Sequence, residues 1–301
     1  MQTPTQRVVK MRGTLESAQS PIKTRTTKPE RRNSRDVAFL AALGLLASLY
    51  IILIIAMVVA EALHTTPGLI LQSLRDPNVR FAIRLTLITC FLSTILCLWV
   101  AVPLGYLMSR FRIPFAGILD AIIDIPIVLP PLVVGLCLLI LFSTPMMKHL
   151  QRYVQITYAV PSIIIAQSTV ACAFAARTMR VTFEGLSPRT EQIARTLGAS
   201  RAQVFWRVSL PEARHGILAA ATLAWARSLG EFGPILVFSG ATRMRTEVLS
   251  TSVFLQLSIG NLEGAVAVSL LLVGASIGVM ILLRVLGADP SLGQGRTLSH
   301  D

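Results

Sequence analysis

The sequence predicts an all-α integral membrane protein with about six transmembrane helices. Three observations point there. Apolar residues make up 53% of the 301 positions and charged ones only 14%, where a soluble domain carries about a quarter charged residues. The apolar residues gather in runs of about 20 or more, the length a helix needs to cross a bilayer. A soluble core would instead be broken by polar faces every few residues. Third, Lys and Arg sit mainly between the runs rather than within them.

Taken in order, residues 1–36 are polar and basic, with nine Lys/Arg against three acids. Such a composition reads as a disordered tail. An organellar transit peptide is the second reading, and a secretory signal is disfavoured because the first apolar run is too long and no small-residue cleavage site follows. Spans are expected over about 37–63, 81–108, 116–142, 160–179, 216–238 and 264–286, with a short tail over 287–301. Most basic residues, 20 of 28, then fall on the side of the N-terminus, which by the positive-inside rule places both termini in the cytoplasm.

The net charge of +13 raises the question of nucleic acid, but no aromatics interleave with the basic residues, and the charge follows topology instead. Cys90, Cys97, Cys137 and Cys172 lie in apolar runs without a CxxC and read as small buried hydrophobes. The four histidines are scattered and form no metal spacing. Asp120 and Asp124 stand one turn apart, but no histidine is close, and a solvated helix end is the plainer reading than acid/base chemistry.

The segment over 187–211 carries most information. It parses as two short helices. Ser187 is placed to N-cap the first, with Pro188 at the favoured first position. Gly198 supplies a left-handed stop. Ser200 with Gln203 forms a capping box for the second, and Ser209 with Glu212 repeats that spacing before the fifth span. Ala194, Leu197, Ala199, Val204 and Phe205 offer an apolar surface flanked by arginines. That surface suits either a groove on a partner protein or the inner leaflet.

This segment resembles the EAA loop of ABC-importer permeases: Glu-Ala-Ala, three residues, Gly, about nine more, then Ile-x-Leu-Pro. Here Gln192-Ile193-Ala194 stands at the first element, Gly198 at the glycine, and Val208-Ser209-Leu210-Pro211 at the end. Glu191 lies one position early, so the acidic contact is either shifted or replaced by Gln192. Two further segments are similar to the branch importing sulfate, molybdate or tungstate: 124–135, with Pro130, Pro131 and Gly135, and 226–233, with Arg227, Gly230, Glu231, Phe232 and Gly233. The resemblance covers roughly residues 80–285.

It implies a type I ABC importer permease fold. It also implies a coupling loop formed by Glu191, Gln192, Ala194, Leu197, Gly198, Ala199, Leu210 and Pro211. The implied partners are two cytoplasmic ABC ATPase subunits, a second permease subunit (identical or different), an external solute-binding protein and membrane lipid. No Gly-x-x-x-x-Gly-Lys-Ser/Thr loop occurs among the four lysine contexts, so ATP and Mg²⁺ are expected on the ATPase partner and no cofactor on this chain. Pro130 and Pro131 free backbone carbonyls that need cover from protein or water, so an unwound segment at the subunit interface and a kink packed in the bundle are both open. Arg227 and Glu231 share a helical face, as an internal ion pair or as a gate.

The expected function is therefore the translocation path for a tetrahedral oxyanion, with no enzymatic activity on this chain. The alternatives are a permease for another solute, such as an amino acid, sugar, thiamine or ferric iron, and an unrelated ion-driven carrier. The carrier should show inverted repeats, and none is visible.

Overall fold

The computed structural model describes residues 34–111 and 113–287, apart from the side chains of 34–38, Arg284 and Leu286. The basic tail expected over 1–36 and the tail over 287–301 lie outside those residues, save for 34–36 and Gly287, as does Arg112. The chain divides into two units, Met1–Met57 and Val58–Asp301.

Helix α1, Ser34–Leu63, supplies the described part of the first unit through Met57 and the start of the second. Its stretch Phe39–Leu63 has a mean hydropathy of 2.8 and none of its most apolar window is buried. A helix apolar on every face, with no core of its own, is one whose solvent is lipid.

The second unit begins with α2 (Pro67–Arg75) and α3 (Pro77–Arg110), then α4 (Ala116–Val128), α5 (Pro131–Ser143) and α6 (Pro145–Gln151). The long α7 (Val160–Gly185) leads to α8 (Pro188–Thr196), α9 (Arg201–Val204), a π-helical turn (Phe205–Ser209) and α10 (Leu210–Glu212). The chain closes with α11 (Arg214–Leu229), α12 (Gly233–Phe238), α13 (Leu249–Ser258) and α14 (Leu262–Gly287).

Helix α3 is the mast of this unit. Asp76 accepts the Asn78 amide at 2.9 Å and Pro77 opens the helix. Its 34 residues run about 51 Å at 1.5 Å per residue, well beyond the roughly 30 Å hydrocarbon core. Helix α7 packs along it on small residues. A Cβ at Gly105 would lie 2.8 Å from the backbone of Met179 and Arg180. Ala101 of α3, Ala171 and Ala175 of α7, and Ala220 and Ala224 of α11 form one buried cluster. In a bilayer, helices gain little from apolar burial, so close backbone approach and dispersion hold them together. A polar tie reinforces the α3–α7 seam: Ser93 Oγ donates to Gln167 Oε1 at 2.9 Å. Helix α14 covers Cys90, Trp225 and Leu229 through Leu272, Val279 and Leu283.

Three expectations change. Four helices among the described residues are long and apolar enough to cross, and α4 with α5 makes a fifth only as a pair bent by 110°. The expected span 216–238 is not one continuous helix: α11 has 16 residues and α12 six. The interruption falls where Gly230 ends the first helix and Gly233 opens the second, with Pro234, lacking an amide donor, in its first turn. Finally, α7 continues past Met179 to Gly185. Its polar end is not loop, because Arg177 pairs with Asp124 at 2.9 Å and Arg180 pairs with both Asp120 and Glu184. Asp120 and Asp124 thus bind α4 to α7 at a partly exposed helix end.

Candidate functional site

The 187–211 loop folds much as its capping residues dictate. Pro188 opens α8, although Ser187 makes no side-chain cap. Gly198 takes φ +91° and a Cβ there would meet nothing within 4 Å, so the glycine serves conformation rather than packing. Ser200 and Gln203 form the full capping box, with Gln203 N–H to Ser200 Oγ at 3.3 Å and Ser200 N–H to Gln203 Oε1 at 2.8 Å. The repeat at Ser209 is absent. Ser209 lies within the π-helical turn in helical geometry, and Glu212 belongs to α10.

Ser209 is drawn elsewhere, to the carboxylate of Glu191. Glu191 Oε1 accepts from Ser209 Oγ at 2.9 Å and from Arg110 Nε at 2.8 Å, and Glu191 Oε2 accepts from Tyr106 Oη at 3.4 Å. The ion pair is largely shielded, with 10% of the Arg110 and 13% of the Glu191 side chain exposed. Arg110 also donates to the Leu186 carbonyl at 3.0 Å. Tyr106 packs against Phe183 and Phe205 at centroid distances of 5.3 and 4.8 Å. A cleft of about 250 Å³ borders the pair, lined also by Phe111, Arg195 and Arg201. Glu191 is therefore an internal anchor, and Gln192 beside it faces outward.

The outward surface differs from the expected one. Val204 is buried and Phe205 half-buried beneath it. Ile193, Leu197 and Trp206 are the exposed apolar residues, at 61%, 83% and 65%. Ala194, Ala199 and Leu210 are half-buried, and Gly198 and Pro211 are exposed.

The second constellation is a crossing of the two interrupted spans. The break after α4 falls at Leu129–Pro130, and Pro131 opens α5. A Cβ on Gly135 would lie 2.8 Å from Pro234 Cα, and one on Gly233 2.8 Å from Pro131 Cβ. Each glycine thus receives the other helix's proline. The segments 124–135 and 226–233, more than 90 positions apart in the chain, meet at their breaks. At the end of α11, Arg227 Nη1 lies 2.8 Å from Glu231 Oε2, and the Glu231 side chain is 1% exposed. The pair is made, but neither Glu231 oxygen accepts a well-directed hydrogen bond among the described residues, and Ser228 Oγ and Trp225 Nε1 are likewise unpaired. Gly230 is exposed and Phe232 half-buried at this break.

Sequence reasoning missed Arg110 and Tyr106 as site residues. Their partner Glu191 is 81 and 85 positions away, and no local pattern signals such a contact. It also missed Glu247, buried in the segment after α12 and hydrogen-bonded by Ser252. Among the described residues, no group of three or more His, Cys, Asp or Glu side chains is placed to hold a metal.

The family described as binding-protein-dependent transport system inner membrane component matches residues 101–295. The chain is 32% identical to the sulfate transport system permease protein CysT of Escherichia coli (strain K12), over 71% of this chain and 79% of that protein. It is 34% identical to the molybdate/tungstate transport system permease protein WtpB of Pyrococcus abyssi (strain GE5 / Orsay), over 81% and 92%. It is 33% identical to the molybdenum transport system permease protein ModB of Mycobacterium tuberculosis (strain ATCC 25618 / H37Rv), over 72% and 82%. Among solved structures, a bacterial alginate ABC transporter shares the fold at TM-score 0.66 and 16% identity, over 83% of this chain and 93% of that one. The MetNI methionine ABC transporter does so at 0.54 and 20%, over 68% and 91%. With its helical fold, its loop over 187–211 and its crossing of broken spans, this multi-pass membrane chain belongs to the family of binding-protein-dependent transport system inner membrane components.

Proposed function

We propose that this chain is the permease subunit of an ATP-driven importer for a tetrahedral oxyanion, either molybdate and tungstate or sulfate. The observation that carries the substrate class is the identity of 32–34% to sulfate and molybdate/tungstate permeases. The crossing of 124–135 with 226–233 supports the same reading, because those segments are the ones that mark this branch.

In this reading the loop over 187–211 lies in the cytoplasm, as do both termini, and docks on one of two ATPase subunits. Ile193 and Leu197, both exposed on α8 and its end, give it an apolar contact surface. ATP and Mg²⁺ belong to the ATPase. A second permease subunit completes the path, and an external binding protein delivers the substrate. Closure of the ATPase pair then rocks the spans as largely rigid bodies. A dianion passing Glu231 would be repelled by a bare carboxylate, and Arg227 at 2.8 Å offsets that charge.

The test is reconstitution of this chain with its ATPase and binding protein in liposomes, followed by uptake of labelled molybdate, tungstate and sulfate. ATP-dependent uptake of one of them, competed by the others but not by amino acids or sugars, is the expected result. Uptake of a different solute with no oxyanion transport overturns the substrate class.

A further inference from the structure

The pair of Glu191 with Arg110 draws together four elements that are separate in sequence. Arg110 and Tyr106 come from the end of α3, the Leu186 carbonyl from the end of α7, Glu191 from α8, and Ser209 from the π-helical turn. The central ion pair is 2.8 Å long and almost wholly shielded. Around it the aromatic rings of Tyr106, Phe183 and Phe205 are in contact, and Arg201 of α9 lies 5.5 Å from the centroid of the Phe111 ring. A shielded pair with additional hydrogen bonds keeps a fixed geometry, unlike a solvated surface pair.

What this anchor holds is as telling as how it is held. Helix α3 is one continuous helix of 34 residues with Pro103 inside it, and α7 lies against it closely enough that Gly105 admits no Cβ. The other two spans near the site are interrupted, α4 from α5 and α11 from α12. A displacement of α8 therefore passes through Arg110 to the end of α3 and, across the close contact at Gly105, to α7.

We propose that Arg110 is a positioning residue for transport: its pair with Glu191 is the strut that carries motion of the docking loop into α3 and α7. The proposal rests on the reading of 187–211 as an ATPase-docking loop. It assigns Glu191 an internal partner and leaves Gln192, Ile193 and Leu197 to face the ATPase. Without the strut the ATPase still binds and turns over, but its motion is lost in the loop.

The test uses the complete reconstituted importer and reads three quantities: ATPase co-purification, binding-protein-stimulated hydrolysis, and substrate taken up per ATP hydrolysed. Arg110→Ala leaves Glu191 as a shielded lone charge and can misfold. The paired neutral variant Arg110→Met with Glu191→Gln removes both charges and is the decisive one. Its expected result is normal co-purification, continued hydrolysis, and uptake per ATP lowered by about tenfold, the scale of a typical coupling between sites. Arg110→Lys, which keeps the charge without the forked reach to Leu186, falls between. The exchanged pair Arg110→Glu with Glu191→Arg recovers a large part of the loss. Uptake per ATP within about twofold of wild type in the neutral pair overturns the strut. Leu197→Asp separates the underlying reading: undiminished ATPase co-purification by that variant sinks the docking loop, whatever the Arg110 variants do.

Discussion

Replacing Gly233 by alanine tests whether the two interrupted spans touch at their backbones. A Cβ at that position would stand 2.8 Å from Pro131 Cβ, 3.0 Å from Pro131 C and 3.1 Å from Leu132 N. Carbon atoms rest at about 3.5–4.0 Å, so α5 and α12 must part by nearly 1 Å. The obstructing atoms are backbone and a proline ring, and no rotamer change relieves them. Overpacking of this kind costs about 1–3 kcal/mol. Gly135→Ala meets a similar obstruction, with Pro234 Cα at 2.8 Å and Val237 Cβ at 3.0 Å. It lies inside α5, however, where alanine is favoured over glycine by about 1 kcal/mol. Gly233 opens α12 and gains little of that. The expected order is therefore a larger loss for Gly233→Ala than for Gly135→Ala. Gly274→Ala, inside α14 with nothing within 4 Å, should be neutral or slightly stabilising. Thermal melting of the purified protein in detergent reads this, at about 2–4 °C per kcal/mol for a chain of this size. A Gly233→Ala protein that melts at or above wild type, beside a Gly274→Ala control that behaves as expected, would refute the close crossing.

Two further outcomes follow from the docking loop. Gly198→Asp places a side chain at φ +91° with free space around it, a strain of about 1–2 kcal/mol. The protein inserts normally but transport is abolished; full uptake with normal ATPase co-purification would sink the coupling assignment. Ser200→Ala removes one arm of the capping box and weakens the α9 start by about 1 kcal/mol. Hydrogen exchange at the Gln203 amide should then quicken, and an unchanged rate would show that the cap contributes nothing.

What was legible in the sequence was what is local. Apolar runs announced the long helices, Gly198 its left-handed turn, and Ser200 with Gln203 its box. Arg227 and Glu231, four positions apart, read as a pair from helical spacing, and the pair forms although Glu231 lies just past the end of α11. The errors share the opposite property. The end of α7 reads as loop because Arg180 and Glu184 are polar, where the helix continues with Arg180 paired both to Asp120 of α4 and to Glu184 one turn on. Glu191 looked like a displaced motif residue, when its position is set by an arginine 81 residues earlier. Ser209 has the spacing of a cap with Glu212 three residues ahead and instead serves a carboxylate 18 residues behind. The interruption of 216–238 was foreshadowed by Gly230, Gly233 and Pro234, but apolar length alone reads through such breaks.

The π-helical turn at Phe205–Ser209 bears on how this chain can change length. A π turn holds one residue more than the α-helical turn it replaces. A single deletion between 205 and 209 can therefore be absorbed by reverting to α geometry, where a deletion in α3 or α7 would rotate every later side chain by about 100°. Ser209 ends that turn and donates its hydroxyl to Glu191 at 2.9 Å. A deletion that keeps the helix but turns Ser209 would forfeit that bond. The loop is thus a place where an indel alters wiring without destroying the scaffold, and relatives of different length at this turn would be expected to hold their acidic residue by a different donor.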